Sequence, residues 1–175
     1  MSIQPIDNLL FWGSNERPAQ VQAFDMLSQK AKYALRALLH LAEAPPGEAV
    51  LISEIATRHH IPKKFLEQIL LDLKNHGVVQ SWRGRSGGYA LLKPASEISF
   101  GQVLRIIDGP LAPLPCLSHV AYRKCSDCDD ESACALRRVF AVSHQATVAV
   151  LDKTMLTDAL RGIEDTSPQA IARVA

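Results

Sequence analysis

With 175 residues the chain is long enough for one domain, or for one domain with a dimerisation extension. Hydrophobic residues make up 47% of it, enough to bury a core, and no apolar run approaches the roughly 20 residues of a membrane-spanning helix. The formal net charge of +1 conceals an uneven spread: from Ser28 to Lys93 ten Lys and Arg stand against five Asp and Glu, and elsewhere nine stand against thirteen. A basic segment on an ordinary body is the charge pattern of a part that meets a polyanion. The start lacks the basic and apolar regions of a signal peptide, so a cytoplasmic protein is expected. In that compartment cysteines serve as ligands more often than as disulfides.

Residues 1–25 mix polar residues with an isolated Leu9-Leu10-Phe11-Trp12 patch and show no sustained period, so a flexible extension is expected there. Ser28 then caps a helix that runs to about Ala44, with Ala31, Leu35, Leu38 and Ala42 inward and Pro45-Pro46-Gly47 as its stop. Val50-Leu51-Ile52 suggests a short strand. Ser53 is placed as the cap of a second helix, packed through Ile55 and Ala56, and His59 and His60 are expected to be solvated in the turn after it.

A third helix opens at Pro62 and ends near Asn75-His76-Gly77, where the glycine can take the left-handed C′ conformation. Phe65, Leu66, Ile69, Leu70 and Leu73 share one face at helical spacing, while Lys64, Glu67 and Gln68 point the other way with Lys63 beside them. Val78 to Trp82 and Tyr89 to Leu92 form two strands around Arg83-Gly84-Arg85-Ser86-Gly87-Gly88, a loop whose glycines allow close backbone approach to an anion. Together these elements predict a winged helix-turn-helix: mainly α, with a small β wing, a helix offering polar groups to base edges and a wing offering cations to phosphate. A solvated polar face with no DNA role, in a protein-interaction adaptor, is the bland alternative.

After Pro94, Ser99 opens a further helix with Val103, Ile106 and Ile107 inward and Asp108-Gly109-Pro110 at its end. The proline-containing stretch from Leu111 to Pro115 delivers the chain to a window holding all four cysteines, Cys116, Cys125, Cys128 and Cys134. Soft thiolates gathered in a polar, acidic loop suit an iron–sulfur cluster or zinc. A thiol-based regulator is the metal-free alternative. An enzyme using Cys116 or Cys125 as nucleophile would need a base beside it, and the sequence offers no such constellation. From Ser132 to about Leu160 one long helix is expected, with Leu136, Phe140, Ala146, Val150 and Met155 among its apolar positions. A helix of that length cannot bury its apolar face within so small a chain, so a homodimer presenting two reading helices to a palindromic double-stranded site is expected. The last residues, 162–175, look like a disordered tail.

Three stretches, Leu27 to Leu35, Ile61 to Leu70 and Arg83 to Tyr89, resemble the signature segments of the Rrf2 family of bacterial winged-helix transcription regulators, and the resemblance covers about Met26 to Leu160. It implies a DNA-binding domain over 26–110, a cysteine loop over 111–134 and a dimerisation helix over 132–161. It also implies that the first helix passes near the DNA backbone, which brings in Lys30 and Lys32. The residues expected at DNA are then Lys30, Lys32, Lys63, Lys64, Phe65, Glu67, Gln68, Arg83 and Arg85. In the cysteine window the resemblance favours an iron–sulfur cluster, [2Fe–2S] or [4Fe–4S], over zinc. Cys128 and Cys134 match the last two family ligands and Cys116 the first. Cys125 is a fourth ligand or a bystander, with His119, Asp127 and Asp129 as non-cysteine candidates.

Overall fold

The computed structural model describes residues 27–162 with the exception of 85, 86 and 127. The expectations for residues 1–25, the tail, Arg85, Ser86 and Asp127 therefore fall outside the described residues. Six α-helices and one antiparallel strand pair make up the described regular structure, in the order α1 (Gln29–Glu43), α2 (Ile52–Arg58), α3 (Lys63–Asn75), β1 (Val79–Trp82), β2 (Gly88–Leu91), α4 (Phe100–Asp108), α5 (Ala135–Lys153) and α6 (Leu156–Arg161), with short 3-10 turns at Ala95–Glu97 and Pro115–Leu117. The mainly helical winged arrangement is the one the periodicity predicts.

Helix α1 is the centre of the body, in contact with α3, α4, α6 and β2. Ser28 caps it as expected, its hydroxyl accepting the Ala31 N–H at 3.0 Å. Ala31, Ala34, Leu38, Ile55, Leu66, Ile69, Leu70 and Leu73 are all fully buried, so α1 and the helix-turn-helix pair α2–α3 share one core. Each large aliphatic side chain buried this way stabilises the fold by about 1.5–3 kcal/mol. Helix α3 stops in a Schellman arrangement: Gly77 takes φ +69°, its N–H donates to Lys74 O at 3.0 Å, and Val78 N–H donates to Leu73 O at 2.9 Å.

Several local expectations shift by tertiary context. Phe65 leaves the buried stripe; it is 38% exposed and rests edge-on against Tyr33 with ring centroids 5.9 Å apart. Val50 makes an isolated bridge to Tyr89 instead of opening a third strand, because the chain turns into α2 at Ile52. Leu51, not Ser53, occupies the α2 N-cap; its carbonyl accepts from Glu54 and Ile55, and Ser53 lies one residue inside the helix. His59 is not simply solvated: its Nε2 lies 3.2 Å from Nδ1 of the buried His40, and burial, then His40, lower its pKa.

The glycines of the wing have a packing cause that the sequence reading missed. A Cβ on Gly87 would lie 2.5 Å from Trp82 O, and one on Gly88 would collide with the Val50 carbonyl. The neighbours of Gly87 all belong to the hairpin itself, whereas Gly84, at φ +105°, has open space around it. Gly88→Ala is accordingly expected to push Val50 off the wing and break its paired 2.9 Å hydrogen bonds with Tyr89. The cost, about 1–3 kcal/mol as for other overpacked sites, is measurable as a lowered urea midpoint with an unchanged slope.

The expected single helix from Ser132 to Leu160 is broken. Thr154 and Met155 are extended (ψ 111° and 162°), and the chain there reaches across to α4's entrance. Phe100 N–H donates to Thr154 O at 3.0 Å, Leu156 N–H donates to Ile98 O at 3.0 Å, and Leu156 is fully buried in the common core. Helix α5 proper spans about 28 Å at ~1.5 Å per residue.

Candidate functional site

Helix α3 presents Lys63, Lys64, Glu67 and Gln68 exposed on the side away from the core, the arrangement its spacing predicts. Beside it the β1–β2 hairpin carries Arg83, exposed at the tip next to Trp82, itself 40% exposed. Lys74 Nζ donates to Ser81 Oγ at 2.7 Å and so holds the wing to the helix.

Lys30 differs from expectation. Its Nζ lies 2.7 Å from Asp72 Oδ2, joining α1 to α3, and this bond is the main cause that holds the Asp72 carboxyl below its usual range. The other oxygen of Asp72 accepts from Gln68 Nε2 at 3.2 Å. Asp72 thus links α1 to the exposed side of α3, a contact that the sequence reading overlooked. The i,i+4 spacing from Gln68 was the available signal, whereas the pairing with Lys30 spans 42 residues and is invisible locally.

The cysteine loop hangs between α4 and α5. At its root, the Asp108 carboxylate accepts from both the backbone N–H and the hydroxyl of Ser28, tying the end of α4 to the start of α1. One turn back along α4, Arg105 grips Asp152 near the end of α5 through two hydrogen bonds of 2.6 and 2.9 Å, which raise the Arg105 pKa. Gly101 makes room for this grip, since a Cβ there would collide with Asp152.

Within the loop Cys116 is buried in its 3-10 turn, while Cys125, Cys128 and Cys134 are half-buried and none of the four forms a disulfide. Cys134 is the N-cap of α5, its sulfur accepting the Arg137 N–H at 3.5 Å. Burial and then the adjacent Cys134 push the Cys128 thiol up. Tyr122 OH donates to Glu131 at 2.7 Å, and Asp130 is held low by hydrogen bonds from Ser132.

Among the described residues no three His, Cys, Asp or Glu side chains converge as a metal-binding group. Beside Cys116 the loop nevertheless offers nitrogen donors. A cavity of about 260 Å³ is lined by Cys116, the one cysteine among its walls, with His119, Tyr122, Arg137 and His144; Arg137 Nε and His144 Nδ1 are buried without a hydrogen-bond partner, and Arg137 Nε lies 3.7 Å from the Glu131 carboxylate. Buried nitrogens of this kind call for an acceptor. A thiolate-bound iron–sulfur cluster, whose sulfurs accept hydrogen bonds, fits that demand.

Outside the loop, α5 has no buried residue, and Leu136, Val139 and Val142 on it are 64%, 67% and 69% exposed. Arg137, Ala141, His144, Val148 and Asp152 form its body-facing side.

A polar-faced helix beside a cationic hairpin, on a body with a bare apolar helix, defines a winged-helix DNA-binding protein. Residues 27–162 match the Rrf2 family, described as iron-dependent transcriptional regulators, and the chain belongs to that family. An rrf2-like HTH-type transcriptional regulator of Rhodobacter capsulatus is 53% identical over 138 residues, covering 77% of this chain and 92% of that one. The structure is similar to that of CymR, the global cysteine regulator of Bacillus subtilis (TM-score 0.65, 29% identity, 77% of this chain and 95% of that one). It is also similar to that of T. potens IscR (TM-score 0.62, 26% identity, 79% and 88%). The chain is a transcriptional regulator and not an enzyme.

Proposed function

We propose that this regulator is a cytoplasmic homodimer that binds a palindromic operator, and that an iron–sulfur cluster in the cysteine loop governs that binding. The observation that carries the proposal is the position of the loop. It leaves α4 at Asp108, which is bonded to the head of α1, and enters α5 at Cys134, which caps the helix with the uncovered apolar side. Cys116, Cys128 and Cys134 would hold the cluster, with Cys125 as a further donor, and the N–H groups of Arg137 and His144 would face it. When bound, the group supplies iron–thiolate bonds that oxygen, oxidants or iron shortage can break. The chain's own residues do the rest: Arg105 and Asp152 keep α5 registered on α4, and Asp108 and Ser28 keep α4 registered on α1. Coupling between two sites requires two arrangements that each site favours differently, and α4, from which the loop leaves, is the element common to both tethers.

A metal-free thiol switch is the second reading, favoured by the close approach of Cys128 to Cys134 and by the likeness to a cysteine regulator. Zinc held by the same thiolates is the third.

At the DNA, Lys63, Lys64 and Lys32 are proposed to meet phosphate, Phe65 to pack at the edge of the reading helix, and Gln68 and Glu67 to face base edges. Glu67 is repelled by phosphate and is useful only where it accepts from a cytosine amino group. Arg83 is proposed to make a groove contact and Arg85 a phosphate contact. Arg83→Ala should weaken operator binding by about 1–3 kcal/mol. A titration at fixed physiological salt decides this, and unchanged affinity in the Arg83→Ala/Arg85→Ala protein would remove the wing from the DNA interface.

A further inference from the structure

We infer that Asp72 is a specificity-positioning residue: it fixes the orientation of the Gln68 side-chain amide, and Lys30 holds it in place from α1. The inference rests on α3 being the base-reading helix. Gln68 is exposed on that helix one turn before Asp72, and its Nε2 lies 3.2 Å from Asp72 Oδ1. An ionised carboxylate can only accept, so the amide nitrogen and not the amide oxygen must face it. The Gln68 Oε1 and its second N–H are thereby left to the outside in one order. Reading an adenine needs such an ordered pair, a donor to N7 beside an acceptor for the N6 amino group. An untethered glutamine offers both amide flips and three rotatable torsions, and its readout is diluted accordingly.

Lys30 completes the device. Its 2.7 Å bond to the second oxygen of Asp72 fixes the carboxylate between two helices and keeps it ionised. Engaged there, the ammonium has its charge offset within the protein and gives less to sequence-independent phosphate attraction. The Asp72 charge itself opposes close approach of phosphate. Asp72 therefore favours discrimination at the expense of general affinity, in contrast to a lysine or arginine on the same face.

The experiment measures binding of the full-length protein to its selected operator, to single-base variants of it and to non-operator DNA across a salt series. The proteins are Gln68→Ala, Asp72→Ala, Asp72→Asn and the Gln68→Ala/Asp72→Ala pair. Asp72→Ala should lower the preference at the base pair read by Gln68 by about tenfold, raise affinity for non-operator DNA and steepen the salt slope by about 1 as Lys30 is released. In the Gln68→Ala background it should change base preference no further. Asp72→Asn keeps shape and an acceptor, and should retain most of the preference while steepening the salt slope. Wild-type preference in Asp72→Ala, an additive loss in the pair, or equal loss in the Asn and Ala proteins overturns the inference. If Gln68→Ala alone leaves preference unchanged at every position, α3 is not the reading helix, and the underlying assignment fails instead.

Discussion

Replacing Val139 and Phe140 by glutamate is expected to separate the proposed dimer into monomers and to lower operator affinity by about 10²–10⁴-fold, the avidity that two linked half-site contacts contribute. The two residues are 67% and 40% exposed on α5, so the changes should cost the isolated chain's fold little. In a helix–helix interface the same carboxylates would be buried without partners, a cost of several kcal/mol. Sedimentation equilibrium gives the mass and a half-site titration gives the intrinsic affinity, which should stay as in the unmodified protein. A variant that remains dimeric would move the interface off this side of α5.

The second large effect concerns the thiolates. Replacing Cys116, Cys128 or Cys134 by alanine is expected to abolish the brown chromophore of anaerobically purified protein, because an iron that loses a thiolate no neighbour can replace is open to oxygen and hydrolysis. Cys125→Ala should leave a weaker but visible chromophore, with Asp129, Asp127, His119 or water filling a position. The acidic residues Asp129, Asp130 and Glu131 oppose added negative charge, which should make the cluster labile. Iron and acid-labile sulfide per chain, measured for each variant beside operator binding with and without the cluster, decide the matter. Zinc in place of iron would reassign the site to that metal. Iron-free protein whose operator affinity changes on thiol oxidation would support the metal-free switch. Equal affinity in both cluster states would keep the cofactor and remove the control.

What could be read beforehand follows from how local each feature is. The caps of α1 and α4, the glycine stop of α3 and the core stripe at Leu66, Ile69, Leu70 and Leu73 depend on neighbours within a turn, and they lie where their spacing puts them. Phe65 has the same spacing yet is partly exposed, because Tyr33 on another helix meets it at the edge of the core. The glycines of the wing pointed to an anion when read alone; two of them answer to Trp82 and to the backbone of Val50, a residue far back in the chain. Asp72 was signalled locally by its spacing from Gln68, but its anchor Lys30, 42 residues away, was not. The cysteines are the reverse case: their number and polar setting were legible, but their separation in space depends on a loop path that no periodicity encodes.

The elbow at Thr154 and Met155 has a consequence for how the molecule comes apart. Because Leu156 is sealed into the same core as α1 and α3, the winged head is assembled from two stretches of chain, and α5 with its cysteine loop is a handle fastened at both ends. A handle fixed that way cannot swing freely. A fragment cut before residue 154 would leave a hole where Leu156 sat and two unanswered backbone groups, Phe100 N–H and Ile98 C=O, at the mouth of α4. Cysteine loop and winged head should therefore melt in one transition, and a protease that nicks the loop should leave both halves associated.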